Sequence, residues 1–129
     1  MDRPSQATPL ERDLLARFHQ AYKDMGFPAA HQITVRGRDD TGSGRYTYLD
    51  HEGEVRGPDG RLGLGRYSQL DMEGLEAGAS FWVELQDGRV RYLEIAVNGD
   101  EPWDGVERPW NVCDPQTGLF GEETPPRTG

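Results

Sequence analysis

Cysteine occurs once in this chain, at Cys113, lysine once, at Lys23, and histidine three times, at His19, His31 and His51. A lone cysteine excludes an internal disulfide and fits a reducing compartment, so a cytoplasmic protein is expected. The same scarcity leaves a zinc site without paired thiolates, and no two histidines show the i, i+4 spacing of a helical metal site, so no metal and no cofactor are expected. Long apolar runs are missing as well. Nothing reaches the roughly 18 residues a membrane-spanning helix requires, and Met1-Asp2-Arg3-Pro4 does not open a secretory signal. Hydrophobic residues make up only 34% of the sequence, against 17 glycines and 9 prolines, which implies a thin core and many turns.

Positive charge is the next shortage. Fourteen Lys and Arg face 23 Asp and Glu, for a net charge of -9. That balance argues against nucleic acid and anionic membrane as partners, because both need cations to neutralise phosphate. The shortage is uneven: residues 1–64 carry 9 basic and 10 acidic residues, residues 65–129 carry 5 and 13. Trp82, Trp103 and Trp110 all lie in the acidic half. Carboxylates speed the approach of a basic partner, and large aromatic rings anchor it once docked.

At 129 residues the chain is expected to form one domain over 8–120, between a polar leader at 1–7 and a disordered tail at 121–129. Thr8-Pro9-Leu10-Glu11 is a helix start: Thr8 can cap, Pro9 suits the first turn, and Glu11 closes a capping box. Leu10, Leu14, Phe18, Tyr22 and Met25, joined by Leu15 and Ala21, make one apolar stripe. Gly26 and Pro28 end the helix, with Phe27 packing back on its last turn. Strands are expected over 32–38 and 45–49, separated by a turn cluster at 39–44. Residues 81–97 form a β-hairpin around Asp87-Gly88, the favoured two-residue loop. Its register places Glu84 opposite Arg91 and puts Phe81, Val83, Leu85, Val90 and Tyr92 on one face. Leu93, Ile95 and Val97 then fall on the other, so either a bulge near Tyr92 switches the faces or both sides are covered. Residues 98–114 read as an irregular stretch. The fold class is α+β, one N-terminal amphipathic helix packed on a mostly antiparallel β-meander sheet of about five to six strands.

An internal repeat joins the two halves. Gly44-Arg45-Tyr46-Thr47-Tyr48-Leu49-Asp50-His51-Glu52-Gly53 matches the ten residues from Gly65 to Gly74 at seven positions, offset by 21. Two copies suit a duplicated hairpin and are too few for a solenoid. The stretch from Tyr46 to Val55 resembles the tyrosine–aspartate repeats of large bacterial toxin shells, with Leu49 inserted into their spacing. Two copies cannot build a shell, and no function is carried over from the likeness.

Catalytic chemistry finds little support. Asp50-His51-Glu52 could supply an acid or base, but neighbours on a strand point to opposite faces, and the second repeat copy has Met72 in place of His51. The acidic run from Asn98 to Glu107 departs from a calcium loop at Pro102 and Trp103. The glycine clusters lack the lysine and following helix of a phosphate cradle, and no serine lies in a nucleophile elbow. The expected function is a non-enzymatic acidic binding protein, a bacterial inhibitor or immunity protein that occludes a basic partner such as a cognate toxin or nucleic-acid-binding protein. Its expected contact residues are Asp100, Glu101, Trp103, Asp104, Glu107 and Trp110. The alternative is a small ligand-binding or enzymatic domain with a pocket between helix and sheet, lined by Tyr22, Tyr48, His51, Trp82 and Tyr92. The segment Asp87–Ile95 is similar to its counterpart in cystatin-like folds, which have that cone shape.

Overall fold

The computed structural model of the chain describes residues 6–64 and 68–113. The start of the expected leader, the opening Gly65-Arg66-Tyr67 of the second repeat copy, the end of the expected domain over 114–120 and the expected tail lie outside them. Helix α1 spans Pro9–Tyr22 and runs into a 3-10 turn over Lys23–Met25. The strands are β1 (Thr34–Asp40), β2 (Gly44–Asp50), β3 (Gly60–Leu62), β4 (Gln69–Met72), β5 (Leu75–Gln86), β6 (Arg89–Val97) and β7 (Trp110–Val112). All pair antiparallel, in the spatial order β1-β2-β6-β5-β4-β7, and β3 pairs with the far end of β5.

The helix forms where its sequence signals place it. Thr8 Oγ1 accepts from the Glu11 N–H, Glu11 Oε1 accepts from the Thr8 N–H, and Pro9 stands in the first turn. Gly26 takes a left-handed φ of 91° and ends the run. Phe27 folds back and stacks on Phe18 at 5.8 Å. Leu10, Leu14, Leu15 and Phe18 lose all exposure against the sheet, where Phe18 meets Phe81 edge-on at 5.9 Å. Each such burial stabilises by roughly 1.5–3 kcal/mol. Ala21, assigned to the stripe by spacing, is exposed.

Several boundaries differ from the sequence reading. Asp39 and Asp40 extend β1, so the turn narrows to residues 41–43. β5 begins at Leu75, six residues before Phe81. Residues 110–112, read as irregular, form β7 against β4. Three short pairings gave no alternating pattern to read, and the sheet reaches seven strands. In the β5–β6 hairpin, Asp87 and Gly88 adopt φ of 54° and 77°, as a two-residue turn of this kind requires. Gln86 faces Arg89 and Leu85 faces Val90 as expected, but Glu84 faces Tyr92, not Arg91. Arg91 is the extra residue of a bulge. Val90, Leu93 and Ile95 therefore point to the helix with Phe81, Val83 and Leu85, while Tyr92 turns to the opposite face.

Each repeat copy lies in a hairpin but in a different arm, the first being the second arm of β1–β2 and the second the first arm of β4–β5. The first copy lies in β2, between β1 and β6, and leads into an irregular segment. The second leads through β4 into the hairpin with β5. What the copies share is burial: Leu49 matches Leu70, His51 matches Met72, and all four are interior. Each copy ends on a glycine with positive φ, Gly53 and Gly74.

A charged network joins the helix to the sheet. Glu11 has no solvent exposure. Arg38 of β1 grips both its oxygens at 2.7 Å, Thr47 of β2 donates at 2.9 Å, and Arg45 of β2 approaches to 3.3 Å. Arg45, 5% exposed, also reaches Asp40 at 2.9 Å, Glu107 at 2.8 Å and the Gly105 carbonyl at 2.7 Å. Glu107 in turn accepts from the Leu10 N–H and the Thr8 hydroxyl at the helix N-terminus, where a carboxylate is favoured. Burial opposes the charge on Glu11, but the bonds from Arg38, Thr8 and Thr47 outweigh it and hold its pKa below the ordinary 4.5.

Replacing Glu11 by Gln leaves Arg38 and Arg45 short of a buried counter-charge and is expected to cost about 3 kcal/mol in urea unfolding. A carboxyl depressed in the folded state stabilises above its unfolded pKa and loses that contribution as pH falls, so Glu11→Gln also flattens the acid limb of stability below the ordinary 4.5. Gly44→Ala would set a methyl 2.1 Å from the Ile95 carbonyl and is expected to cost about 1–3 kcal/mol, whereas Gly37→Ala meets nothing and changes stability by no more than about 0.5 kcal/mol.

Candidate functional site

The helix covers one face of the sheet, and the other carries a cluster of aromatic side chains. Period-two alternation along β2 sends Arg45, Thr47 and Leu49 inward and Tyr46 and Tyr48 outward. Cross-strand pairing sets Tyr48 opposite Tyr92, and Tyr46 opposite Glu94, which faces Trp82 on β5. The Tyr46 and Tyr48 rings lie parallel at 6.3 Å, and Tyr92 stands edge-on to both at 5.4 and 6.2 Å. Glu94 is the polar centre. It accepts from the Trp82 indole at 3.1 Å, and its carboxylate, opposite Tyr46 across the strands, raises the Tyr46 pKa. Burial, with the charges of Glu84 and Glu94, also raises the Tyr92 pKa. Arg61 of β3 places its guanidinium 4.2 Å from the centre of the Trp82 ring. Tyr48 remains 40% exposed.

The six contact residues expected from the sequence do not share one exposed face. Trp103 is 2% exposed, donates its indole N–H to the Val106 carbonyl, and lies under Arg45 at 5.0 Å. Trp110 is half-buried on the helix side and donates to Asp13 of α1 at 2.7 Å. Glu107 belongs to the Glu11 network. Glu101 accepts from the Glu76 N–H. Asp104 pairs with Arg108, and that guanidinium together with the Val106 N–H holds its carboxyl well below the usual carboxylate range. Asp100 alone of the six is exposed with no such role described.

The five pocket residues divide between the two faces. Tyr48, Trp82 and Tyr92 belong to the aromatic cluster. Tyr22, on the helix, donates its hydroxyl to the Gly63 carbonyl. His51 is buried at the end of β2, where Nε2 accepts from the Val90 N–H at 2.9 Å and Nδ1 donates to the Glu52 carbonyl at 3.0 Å. Both ring nitrogens are thus engaged, and the bond from Val90 ties the end of β2 to β6. An open polar groove runs past His51 between Phe27 and Glu52, with Asp50 and Arg89 on its wall. Arg89 lowers the pKa of Asp50 against the opposing effect of burial. Among the described residues no group of three or more His, Cys, Asp or Glu is placed to hold a metal ion, and no helix is long and apolar enough to cross a membrane.

Sequence reading missed Tyr46, Glu94 and Arg61 as members of the cluster. Tyr46-x-Tyr48 and Tyr92-x-Glu94 carry the alternation that would have shown it, once the bulge at Arg91 assigns the faces. The chain matches no family model, no curated protein and no solved structure.

Alanine at the two kinds of aromatic site separates core from surface. Trp103→Ala is expected to cost about 3–5 kcal/mol, as for other buried large-to-small changes, while Tyr48→Ala changes stability by under about 1 kcal/mol. Thermal unfolding of the two variants checks this, and an unchanged midpoint for Trp103→Ala would show that the ring is not interior.

Proposed function

We propose that this chain is a non-enzymatic acidic binding protein, an inhibitor of the immunity-protein kind that occludes a basic partner in the bacterial cytoplasm. The aromatic face of the sheet carries the reading. Tyr46, Tyr48, Tyr92 and Trp82 stand together on a surface the helix leaves uncovered, and clustered aromatic side chains with a polar rim are the usual anchors of a protein interface. Net charge supports a basic partner, since -9 on a small domain favours encounter with cations. Exposed carboxylates flank both ends of the sheet: Glu73, Glu76 and Asp100 beside the β4–β5 turn, and Glu54, Asp59 and Asp87 beside the β5–β6 turn. The contact therefore shifts from Trp103 and Trp110, which serve the core, to the tyrosines and Trp82. A cationic toxin or nucleic-acid-binding protein fits such a surface through steering by the carboxylates and anchoring by the rings.

The test is a calorimetric titration of the chain with the purified product of the adjacent gene at low and high salt. A complex whose Kd weakens by about tenfold or more between 50 mM and 500 mM salt is expected. A complex indifferent to salt, or none with any basic neighbour, overturns the proposal.

A further inference from the structure

We infer that the tyrosine corner built by Tyr46, Tyr48 and Tyr92 beside Glu94 is a subsite for an arginine side chain of the partner. The inference rests on the reading of this chain as a binder of basic proteins and specifies what the aromatic face recognises. Three observations lead to it. First, the rings are held in place before any partner arrives: Glu94 bonds Trp82 and stands opposite Tyr46 across the strands, and Tyr92 stands at 76° and 72° to the parallel pair. Ring faces attract cations through their quadrupole, and little order remains to be imposed on binding. Second, a carboxylate lies at the centre of the cluster and another, Glu84, stands directly opposite Tyr92 across the strands. Arg61 faces Glu84, and Arg36 and Arg91 line the groove beside Tyr48 and Tyr92, so Glu94 is the carboxylate that favours an incoming cation at the rings. Third, the chain already places a guanidinium on this surface. Arg61 sits 4.2 Å from the Trp82 ring centre, with Glu84 as its cross-strand neighbour. The indole is thereby taken on one side, and the tyrosines are the aromatic surface left for an incoming group.

Arginine suits the corner better than lysine. Its flat guanidinium stacks on rings while its N–H groups reach a carboxylate edge, whereas an ammonium is a compact, strongly hydrated charge. Glu94 accepts the bond from Trp82 and keeps acceptor capacity, because an ionised carboxylate offers about four lone-pair positions.

The experiment titrates the full chain with a capped Gly-Arg repeat octapeptide, its lysine counterpart and its neutral citrulline counterpart, following aromatic ring signals by NMR. Arginine peptide is expected to shift the Tyr46, Tyr48 and Tyr92 rings and to bind more tightly than lysine or citrulline peptide. Glu94→Gln, which keeps the shape and a hydrogen-bonding group, and Tyr48→Ala, at an exposed position, are each expected to weaken binding by about tenfold. Arginine peptide that binds with those rings unmoved, or equally well to both variants, overturns the corner and leaves the basic-partner reading standing. A neutral cello-oligosaccharide that moves the same rings more tightly than the arginine peptide also overturns it. No binding of either cationic peptide up to about 10 mM overturns both readings together.

Discussion

A carboxylate with no access to water, Glu11, is the constraint around which this fold is arranged. An isolated charge in that position would be prohibitive, so the surrounding chain must bring cations to it. Arg38 comes from β1, Arg45 and Thr47 from β2, and the Thr8 N–H from the cap of the same helix. Arg45 then needs its own anions, and Asp40 and Glu107 answer. Helix, two strands and the loop over 98–109 are tied by one set of bonds with fixed geometry. Apolar contacts alone would hold the helix on the sheet. The network also sets where along the sheet it sits, since a displacement of one turn would leave buried charges unpaired.

The same network limits what the acidic composition can mean at the surface. Glu11 and Glu107 are used inside, and Asp104, Asp50 and Asp13 are engaged by neighbouring side chains. A net charge of -9 still creates an attractive field for cations, but the carboxylates closest to the tryptophans of the loop and β7 are largely structural. Among the described aromatic residues, the most exposed is Tyr48, on the sheet's uncovered face beside the half-buried Tyr46, Trp82 and Tyr92. Their position follows from one bulge. Without the extra residue at Arg91, Tyr92 would point into the core with Val90 and Phe81, and Leu93 and Ile95 would be exposed. With it, Val90, Leu93 and Ile95 turn to the helix and the tyrosine joins its neighbours on β2.

The internal repeat shows how a sequence likeness can survive a change of context. Leu49 and Leu70 fill equivalent interior places, and so do His51 and Met72, although one copy sits between two long strands and the other begins a hairpin. His51 is tolerated where its counterpart is a methionine because both of its nitrogens find backbone partners. The polar identity that drew attention to it in the sequence is met by a structural tie between β2 and β6.

Local signals in the sequence were sufficient for the helix, whose cap, stripe and glycine stop all lie within a few residues of the bonds they form, and for the hairpin, whose Asp87-Gly88 turn imposes its own register on the first pairs. The α+β class follows from those elements together. The pairing of residues 110–112 with β4 and the burial of Arg45 and Glu107 depend on distant partners: Arg45 meets Glu11 34 positions away, and Glu107 meets Thr8 99 positions away. No local pattern marks such partners: a charged residue in a loop reads as solvated until another element removes the water around it. The sequence by itself decided which segments could be helix and strand, because that depends on nearby residues. Tertiary structure alone decided which charges and rings remained for a partner, because that depends on what the fold had already consumed.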